Sequence, residues 1–296
     1  MKHLINIDYL TAQEITQIFD RALEFEKGRR IAKHTNANVI NMFFENSTRT
    51  KMSFEMAINK IGANKFDFCA DSSSLKKGED LYDTINNLSA IGMNVFIMRH
   101  TDNNLIKDLA TKNYFDNISF INAGSGTDSH PTQALLDFYT MKKQFGNLAG
   151  KIITIVGDIA HSRVAMSNIA LLKKFDVKIR CLAPNELIGE KIDGVDYYTN
   201  LKDAFNEADI IMALRIQKER IQEHIDIENY IKNYQITKDN LPYAAFLMHP
   251  GPVNKDIEIS SNALGLQNAK TILNQARNGV YVRMAILDMI LNTQGL

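Results

Sequence analysis

Short apolar runs alternate with longer amphipathic stretches along nearly the whole chain. The short runs are rich in β-branched and aromatic residues, which favours strands, and the stretches between most of them have helical spacing. Eight strands are predicted in this way, at Val39–Phe44, Asn64–Cys69, Val95–Arg99, Ile118–Asn122, Lys151–Val156, Val177–Leu182, Asp209–Leu214 and Ala245–Met248. Because buried strands that alternate with helices are typical of parallel sheets covered on both faces, the pattern predicts an α/β fold.

Two helices organise these strands into domains. A long helix predicted over Pro131–Phe145 separates two strand–helix series, and 296 residues are enough for two domains of about 150 residues each. A second helix, predicted over Val280–Leu291, is long enough to pack back on the first domain. We therefore predict two α/β domains, each a parallel sheet flanked by helices, with the active site in the cleft between them. The first comprises residues 1–131 completed by 277–296, and the second comprises residues 132–276.

Charge and composition exclude several classes of protein. The chain has 34 Lys and Arg against 34 Asp and Glu, and this balance argues against nucleic acid as a partner but not against a small anion held by a few arginines. The longest apolar runs are far shorter than the roughly 18 residues of a membrane helix, and the N-terminus turns polar too early for a secretory signal. Cys69 and Cys181 each lie in an apolar segment, so we expect buried, reduced thiols in a cytoplasmic protein.

The candidate chemistry lies in the polar segments that follow the strands, because ligands of open α/β sheets bind beyond the carboxyl ends of strands. Ser47, Thr48, Arg49 and Thr50 follow the first strand and precede a helix predicted from about Lys51. The unpaired N–H groups and partial positive charge of a helix N-terminus favour phosphate. Helix capping would explain one hydroxyl group but not three together with an arginine, so the segment predicts an anion site.

Three further segments of the first half carry candidate groups. Arg99 closes the third strand and must face either water or the cleft. His130 precedes a proline at a helix start, where the helix dipole favours a neutral imidazole that can donate a hydrogen bond to a carbonyl oxygen; a capping role is equally compatible with the local sequence. The loop that contains Ser73 and Lys77 has, by itself, the composition of a solvated loop.

The second half offers arginines instead of a cofactor motif. Gly157 is the one glycine where a dinucleotide fingerprint requires three, which disfavours a dinucleotide site. Arg163, Arg215 and Gln217 follow strands and suit carboxylates bound by two hydrogen bonds. The sequence has no nucleophile motif and no clustered metal ligands, so we predict no metal or other cofactor and a chemistry that relies on positioning and electrostatics.

Together these motifs resemble the transcarbamoylase family over nearly the whole chain. The family is marked by Phe43–Thr50, by His130–Gln133 and by Asn278–Met284. Three other segments resemble its aspartate-specific members, namely Ser73–Glu79, Arg215–Arg220 and His249–Asn254, and Gly251 stands where an ornithine-specific member would carry a cysteine.

The resemblance implies a reaction and a role for each matching residue. Carbamoyl phosphate and L-aspartate would give N-carbamoyl-L-aspartate and phosphate, a step of pyrimidine synthesis, without a metal or a covalent intermediate. The first domain would bind carbamoyl phosphate, with help from the second, through Ser47, Thr48, Arg49, Thr50, Arg99, His130, Gln133, Gly251 and Pro252. Catalysis would depend on Arg49, Thr50, Arg99 and His130. Aspartate would be bound by Arg163, Arg215, Gln217 and Lys77.

The resemblance also implies an assembly. Ser73 and Lys77 would reach into the site of a neighbouring subunit, so the working unit would be a homotrimer of catalytic chains, with or without regulatory chains or dihydroorotase. Lys51 and Lys255 stand where arginine is usual in the family, and they keep the charge but lose the guanidinium fork. No side chain of the set is an obvious base for the aspartate amine, and the departing phosphate could accept that proton.

Three alternatives stay open at this point. The chain could be a transcarbamoylase for another amino acid, although two arginines for two carboxylates favour a dicarboxylate. It could be a catalytically silent assembly subunit, although every polar position of the set is filled. A nucleotide-binding dehydrogenase is disfavoured by the single glycine at Gly157.

Overall fold

The computed structural model describes residues 1–29, 33–112, 115–217 and 225–296. The chain divides into two compact units, one formed by Met1–Leu135 with Asn278–Leu296 and the other by Leu136–Arg277. Each unit is built around a parallel sheet flanked by helices, so the predicted α/β class is confirmed. Which substrate each unit binds stays a prediction.

Unit 1 contains a four-stranded sheet with strand order β2-β1-β3-β4. Its strands are β1 (Asn38–Phe43), β2 (Asn64–Phe68), β3 (Val95–His100) and β4 (Ser119–Ser125). Its α-helices are α1 (Ala12–Glu26), α2 (Thr48–Ile61), α3 (Leu81–Ile91) and α4 (Leu105–Thr111), followed by α5 (Pro131–Phe145), which continues into unit 2. Three short 3-10 helices lie at Ile7–Tyr9, Ala70–Ser72 and Ser74–Lys77.

Unit 2 contains a five-stranded sheet with strand order β7-β6-β5-β8-β9. Its strands are β5 (Ile152–Val156), β6 (Lys178–Leu182), β7 (Val195–Tyr198), β8 (Ile210–Ala213) and β9 (Phe246–Met248). Its helices are α6 (Arg163–Leu172), α7 (Asn185–Ile188), α8 (Leu201–Phe205), α9 (Ile227–Tyr234), α10 (Ser261–Leu264), a 3-10 helix at Gln267–Lys270, and the first turns of α11 (Thr271–Gln294).

The eight predicted strands and the helix over Pro131–Phe145 are all present, but β7 was missed. This strand pairs only with β6 at the edge of its sheet, and none of its four residues is buried, so it lacks the continuous apolar run on which the prediction depended. The predicted C-terminal helix is also too short, because α11 already begins at Thr271. Gly279 lies inside α11, and glycine is about 1 kcal/mol less favourable in a helix than alanine. The turns before Gly279 were therefore not recognised as part of the helix.

The expectation that both cysteines are buried is wrong for one of them. Cys181 lies in the buried part of β6, and burial raises the pKa of its thiol to about 12. Cys69 is exposed, because it follows β2, an edge strand whose residues are only partly covered. In the described part of the chain, no helix is both long and apolar enough to cross a bilayer.

The last turns of α11 belong to unit 1 through polar contacts as well as apolar packing. Asp288 is buried, and its carboxylate contacts His34 Nε2 at 2.9 Å and Arg21 Nε at 2.8 Å. Gln294 donates a hydrogen bond to Ser119 Oγ at the start of β4, at 2.7 Å. The C-terminal segment is therefore an integral part of the unit that the N-terminal segment begins.

Candidate active site

In unit 1 the strand order reverses between β1 and β3, because the chain continues from β1 to β2 on one side and from β3 to β4 on the other. Such a switch point leaves a crevice at the carboxyl ends of the two strands, where ligands of open α/β sheets bind. Phe44, just after β1, donates its N–H to the carbonyl oxygen of Arg99 in β3 at 2.9 Å. The two segments that carry most of the predicted phosphate ligands therefore start side by side.

The segment after β1 forms the first turn of α2, which starts at Thr48, earlier than predicted. Ser47 occupies the N-cap position with an extended backbone, yet its side chain makes no capping hydrogen bond. Ser47 therefore does not supply the capping hydroxyl group that the sequence allowed for this segment. Thr48, Arg49 and Thr50 form the first turn, whose backbone N–H groups have no partners within the helix. This arrangement is suited to an anion.

Arg99, near the end of β3, contacts both the segment that follows β1 and the strand β4. Its Nε is 3.4 Å from Glu45 Oε2, and its Nη1 donates to the carbonyl oxygen of Ala123 at 3.4 Å. Its side chain is 12% exposed, so of the two predicted orientations the one facing bulk water is wrong. A guanidinium held beside the switch point can still turn one edge towards a bound anion.

His130 and Gln133 lie at the start of α5, behind a tight turn. Backbone hydrogen bonds join Ser125 to Ser129 in both directions, at 2.9 and 3.3 Å. Gly126 has a φ of 43° in this turn, and a Cβ there would lie 2.8 Å from the carbonyl oxygen of Thr101, so only glycine fits. His130 and Gln133 are both buried, and Gln133 donates its N–H to the His130 carbonyl oxygen at 3.0 Å.

Arg283 of α11 is a residue of this region whose role the sequence did not reveal. It is buried, donates to Ser53 Oγ at 2.9 Å and to Thr132 Oγ1 at 3.4 Å, and lies 5.0 Å from the ring centre of Phe54. One side chain thus connects α2 with α5, the two helices whose first turns carry candidate ligands. The sequence offered it only as part of the family motif near the C-terminus.

The segment with Ser73 and Lys77 folds on itself at a different place in unit 1. Ser73 donates to the Ala70 carbonyl oxygen at 2.8 Å, and Ser74 donates to Glu79. Ser73 lines an open groove of about 480 Å³ whose lining includes none of the α2 residues, whereas the Lys77 side chain is exposed. Within one chain these two residues are therefore not grouped with the phosphate set.

Of the two lysines that replace usual arginines, Lys51 forms an ion pair with Asp67 of β2 at 3.1 Å. Lys65 shares the same carboxylate at 2.7 Å, and the two contacts lower the pKa of Asp67 despite its partial burial. Lys51 is thus engaged with the neighbouring strand. Lys255 lies after the turn that follows β9, where its backbone bridges to Ile259.

In unit 2 the strand order reverses between β5 and β8. The carboxyl ends of these strands approach closely at Gly157, where an added Cβ would lie 2.6 Å from the Leu214 carbonyl oxygen and where φ is 123°. Gly157, which does not form part of a dinucleotide-binding motif, is therefore needed because two chain segments pass close to each other here. Arg163 starts α6 after this turn, as predicted, and Arg215 and Gln217 follow β8.

The buried carboxylate of Asp158 joins these two segments. Its Oδ1 accepts hydrogen bonds from His161 N–H at 3.2 Å and contacts His161 Nδ1 at 2.8 Å, and its Oδ2 accepts the Gln217 N–H at 3.2 Å. The Gln217 side chain in turn donates to the His161 carbonyl oxygen at 2.7 Å. The last three residues of the predicted 215–220 motif, Lys218–Arg220, lie outside the described residues.

A second buried carboxylate, Glu258, also contacts the Arg215–Gln217 segment. It accepts the Ile216 N–H at 3.0 Å and two hydrogen bonds from Asn254, at 2.9 Å from the backbone and 2.8 Å from the side chain. Burial raises the pKa of Glu258, and the hydrogen bonds oppose that rise. Neither Asp158 nor Glu258 was predicted as part of the site.

The turn that contains Gly251 and Pro252 is fixed by a buried polar chain. Gly251 donates its N–H to His249 Nδ1 at 2.7 Å, and His249 donates its own N–H to Gln275 Oε1 at 2.9 Å. Gln275 then donates to Asp137 at 2.8 Å. These contacts tie the turn after β9 to α11 and α5, the two long helices that reach into both units.

The two units share one design: a parallel sheet with arginines and hydrogen-bond donors at its switch point, which defines a two-domain ligand-binding protein of the α/β class. Family models agree with it. Residues 2–143 match the carbamoyl-P binding domain of aspartate/ornithine carbamoyltransferases, and residues 149–290 match their Asp/Orn binding domain.

Individual relatives extend over the full chain. The aspartate carbamoyltransferase catalytic subunit of Listeria welshimeri is 38% identical over 296 residues, which cover 98% of this chain and 96% of that protein. The catalytic subunit of M. jannaschii aspartate transcarbamoylase superposes with a TM-score of 0.88 at 31% identity, covering 99% of each chain. The Trypanosoma cruzi enzyme, solved with carbamoyl phosphate and aspartate, gives a TM-score of 0.83 at 26% identity over 97% of this chain and 96% of that one. The chain belongs to the aspartate/ornithine carbamoyltransferase family.

Proposed function

We propose that the chain transfers the carbamoyl group of carbamoyl phosphate to the amino group of L-aspartate. The proposal rests on one observation: in each unit, arginines and hydrogen-bond donors lie at or just beyond the carboxyl ends of the two strands at which the sheet order reverses. One switch point has hydroxyl groups and a helix N-terminus, which suit phosphate, and the other has Arg163, Arg215 and Gln217, which suit carboxylates.

Carbamoyl phosphate binds through the first turn of α2. Ser47, Thr48, Arg49 and Thr50 hold the phosphate, and Arg99 is shared between the phosphate and the carbonyl oxygen. Thr50, Arg99 and His130 donate to the oxyanion that forms on that oxygen, and Gln133 orients the carbamoyl NH₂. Gly251 and Pro252 complete the pocket around the carbamoyl group.

Aspartate binds through guanidinium groups and an amide. Arg163 holds the α-carboxylate, while Arg215 and Gln217 hold the side-chain carboxylate. Two carboxylate sites favour aspartate over ornithine, whose side chain is cationic. The reaction requires the aspartate amine to reach the carbonyl carbon of carbamoyl phosphate, so positioning of the two substrates is the main task of these ligands.

The reaction needs one bond formed and one broken. The amine nitrogen attacks the carbonyl carbon, and the resulting tetrahedral intermediate collapses as the bond from carbon to the phosphate oxygen breaks. The departing phosphate takes the proton that the amine loses. The protein contributes positioning and oxyanion stabilisation, and each oxyanion donor is expected to contribute about 10²–10³ in turnover.

The relatives support this choice of substrates. Those named are aspartate carbamoyltransferase catalytic subunits, and the T. cruzi structures hold carbamoyl phosphate, aspartate, carbamoyl aspartate or N-(phosphonacetyl)-L-aspartate. The product makes the enzyme a participant in pyrimidine synthesis.

The working assembly is a homotrimer in which Ser73 and Lys77 complete the site of the neighbouring subunit, with Lys77 adding a positive charge near the aspartate. The exposure of Lys77 and the open groove beside Ser73 support this part of the proposal. Regulatory chains or dihydroorotase are further candidate partners of the trimer.

A carbamoyl-aspartate assay paired with a native mass measurement tests the proposal. We expect product from aspartate, none from ornithine, and a mass three times 33.5 kDa for the catalytic assembly alone. Carbamoylation of ornithine would identify the other branch of the family, and no turnover with either amino acid would identify a catalytically silent subunit.

A further inference from the structure

Glu258 occupies an unusual position for a carboxylate. Its side chain is buried, with 1% of the residue exposed, and its hydrogen-bond donors among the described residues are neutral groups of Ile216 and Asn254 and its own backbone N–H. Burial raises the pKa of Glu258, which means that the folded protein disfavours its charge. A buried carboxylate that is hydrogen-bonded to neutral groups does not make a protein more stable than an apolar side chain of the same size would. What this carboxylate does provide is a fixed geometry.

The geometry concerns two consecutive peptide groups. Glu258 Oε1 accepts the N–H of Ile216, and Asp158 Oδ2 accepts the N–H of Gln217. The carboxylates come from different loops, one after β5 and one after β9. Since each fixes one peptide group of the segment after β8, together they set the directions in which the side chains of Arg215 and Gln217 leave the backbone.

Asn254 restricts the orientation of the Glu258 carboxylate that contacts this segment. The carboxylate accepts both the backbone N–H and the side-chain NH₂ of Asn254, one on each oxygen. Asn254 thus orients both oxygens independently of the contact with the Ile216 N–H. The Ile216 side chain itself is fully buried. The residue between the two proposed aspartate ligands therefore has both its side chain and its peptide group fixed.

We infer that Glu258 is a positioning residue for dicarboxylate recognition: it orients Arg215 and Gln217 through the Ile216 peptide without touching the substrate. The inference rests on the proposed function, because it takes Arg215 and Gln217 as the ligands of the aspartate side chain. It adds a residue that selects the second substrate while leaving carbamoyl phosphate binding to unit 1.

The variant Glu258→Gln tests the inference, because it keeps the size of the side chain but replaces one acceptor oxygen with an NH₂ group. We expect the KM for aspartate to rise by about tenfold, the effect of losing one charge-assisted hydrogen bond. The inhibition constant of succinate, which is aspartate without its amine, should rise equally. The KM for carbamoyl phosphate should stay within about twofold, since that substrate uses other ligands.

Asp209→Asn is the matched control. Asp209 is another carboxylate of unit 2 that accepts a backbone N–H, from Ile152 at 2.9 Å, but it lies at the opposite ends of β5 and β8 from the switch point. This variant should leave both KM values unchanged, although it removes an ion pair with Lys151. A loss of aspartate affinity in both variants would indicate general loosening of unit 2 and would overturn the inference.

The remaining outcomes separate the inference from the proposed function. If the unmodified chain forms no carbamoyl aspartate, the proposed function fails; if it does and Glu258→Gln leaves the KM for aspartate unchanged, only the positioning role fails. Should Glu258→Gln not fold, as judged by circular dichroism, Glu258→Asp takes its place. A rise confined to the KM for aspartate in that variant supports the inference, and equal rises for both substrates overturn it.

Discussion

Asp158 and Gln217 are 59 residues apart in the sequence, yet Oδ2 of the first accepts the backbone N–H of the second at 3.2 Å. The contact joins the segment after β5, which leads to Arg163, to the segment after β8. It therefore connects the segments that carry an arginine and a glutamine of the proposed aspartate site. A buried carboxylate is thus part of the proposed aspartate site without being a ligand.

The substitution Asp158→Asn tests this relationship. The amide can accept fewer hydrogen bonds than the carboxylate, and a hydrogen bond to a charged group contributes about 1.5–3 kcal/mol. We expect the KM for aspartate to rise at least about tenfold while carbamoyl phosphate binding is preserved. Steady-state kinetics with each substrate varied in turn would measure both quantities. An unchanged KM for aspartate would contradict the role of the Asp158–Gln217 contact.

Arg49 offers the most direct test of the anion site at α2. The exposed side chain belongs to the first turn of the helix, so its removal leaves no cavity in the core. Arg49→Ala should lower turnover by about 10²–10³ or more, as expected for a lost electrostatic contact in the transition state. The thermal unfolding midpoint should stay within a few degrees of that of the unmodified chain. Unchanged turnover would mean that the phosphate binds elsewhere.

Gly157 should be difficult to replace. In Gly157→Ala, the new Cβ would collide with the Leu214 carbonyl oxygen, and the residue would also have to keep a φ of 123°. We expect the free energy of unfolding to fall by roughly 2–5 kcal/mol from strain and overpacking together. Gly146→Ala is the control, because Gly146 also has a positive φ but has no atom within 4 Å of the added Cβ. Urea unfolding of both variants would give the comparison, and equal losses would refute the role of the close passage.

His3 makes the stability of unit 1 depend on pH. Burial, with a smaller contribution from Lys2, lowers the pKa of His3 to about 4, and its Nδ1 accepts the N–H of Phe120 at 3.1 Å. The folded state thus disfavours the protonated ring, so this contribution to stability is complete above pH 6.5 and is lost as the pH falls from 6.5 towards 4.

The variant His3→Asn keeps an acceptor near the Nδ1 position but does not titrate in this range. Compared with the unmodified chain, its unfolding midpoint should fall less between pH 6.5 and pH 4. Thermal unfolding of both proteins at half-unit pH steps would measure the difference. Parallel pH profiles would show that His3 does not contribute.

How well each part of the structure could be predicted depends on whether a local sequence pattern or a contact between distant residues determines it. The strand β1 and the helix α2 were predictable, because a continuous apolar run followed by hydroxyl groups and a helical pattern is a local signal. The edge strand β7 gave only a weak signal, since half-exposed residues do not form such a run.

The proposed ligands could be predicted from the sequence more readily than the residues that support them. Arg163 and Arg215 could be predicted because they follow strands. Glu258 could not, because its contact with Ile216 spans 42 residues and no local pattern announces it. Arg283 was visible only as part of a family motif, since its partner Ser53 is 230 residues away.

The discontinuity of unit 1 has a consequence for how the protein is made. A ribosome releases residues 1–135 early, but Asn278–Leu296, which complete the same unit, emerge only after all of unit 2. Until then the unit lacks Arg283, which joins α2 to α5, and Asp288, which contacts His34. Unit 2 can condense first during synthesis, and the phosphate half of the proposed site should become competent only when the final helix has left the ribosome.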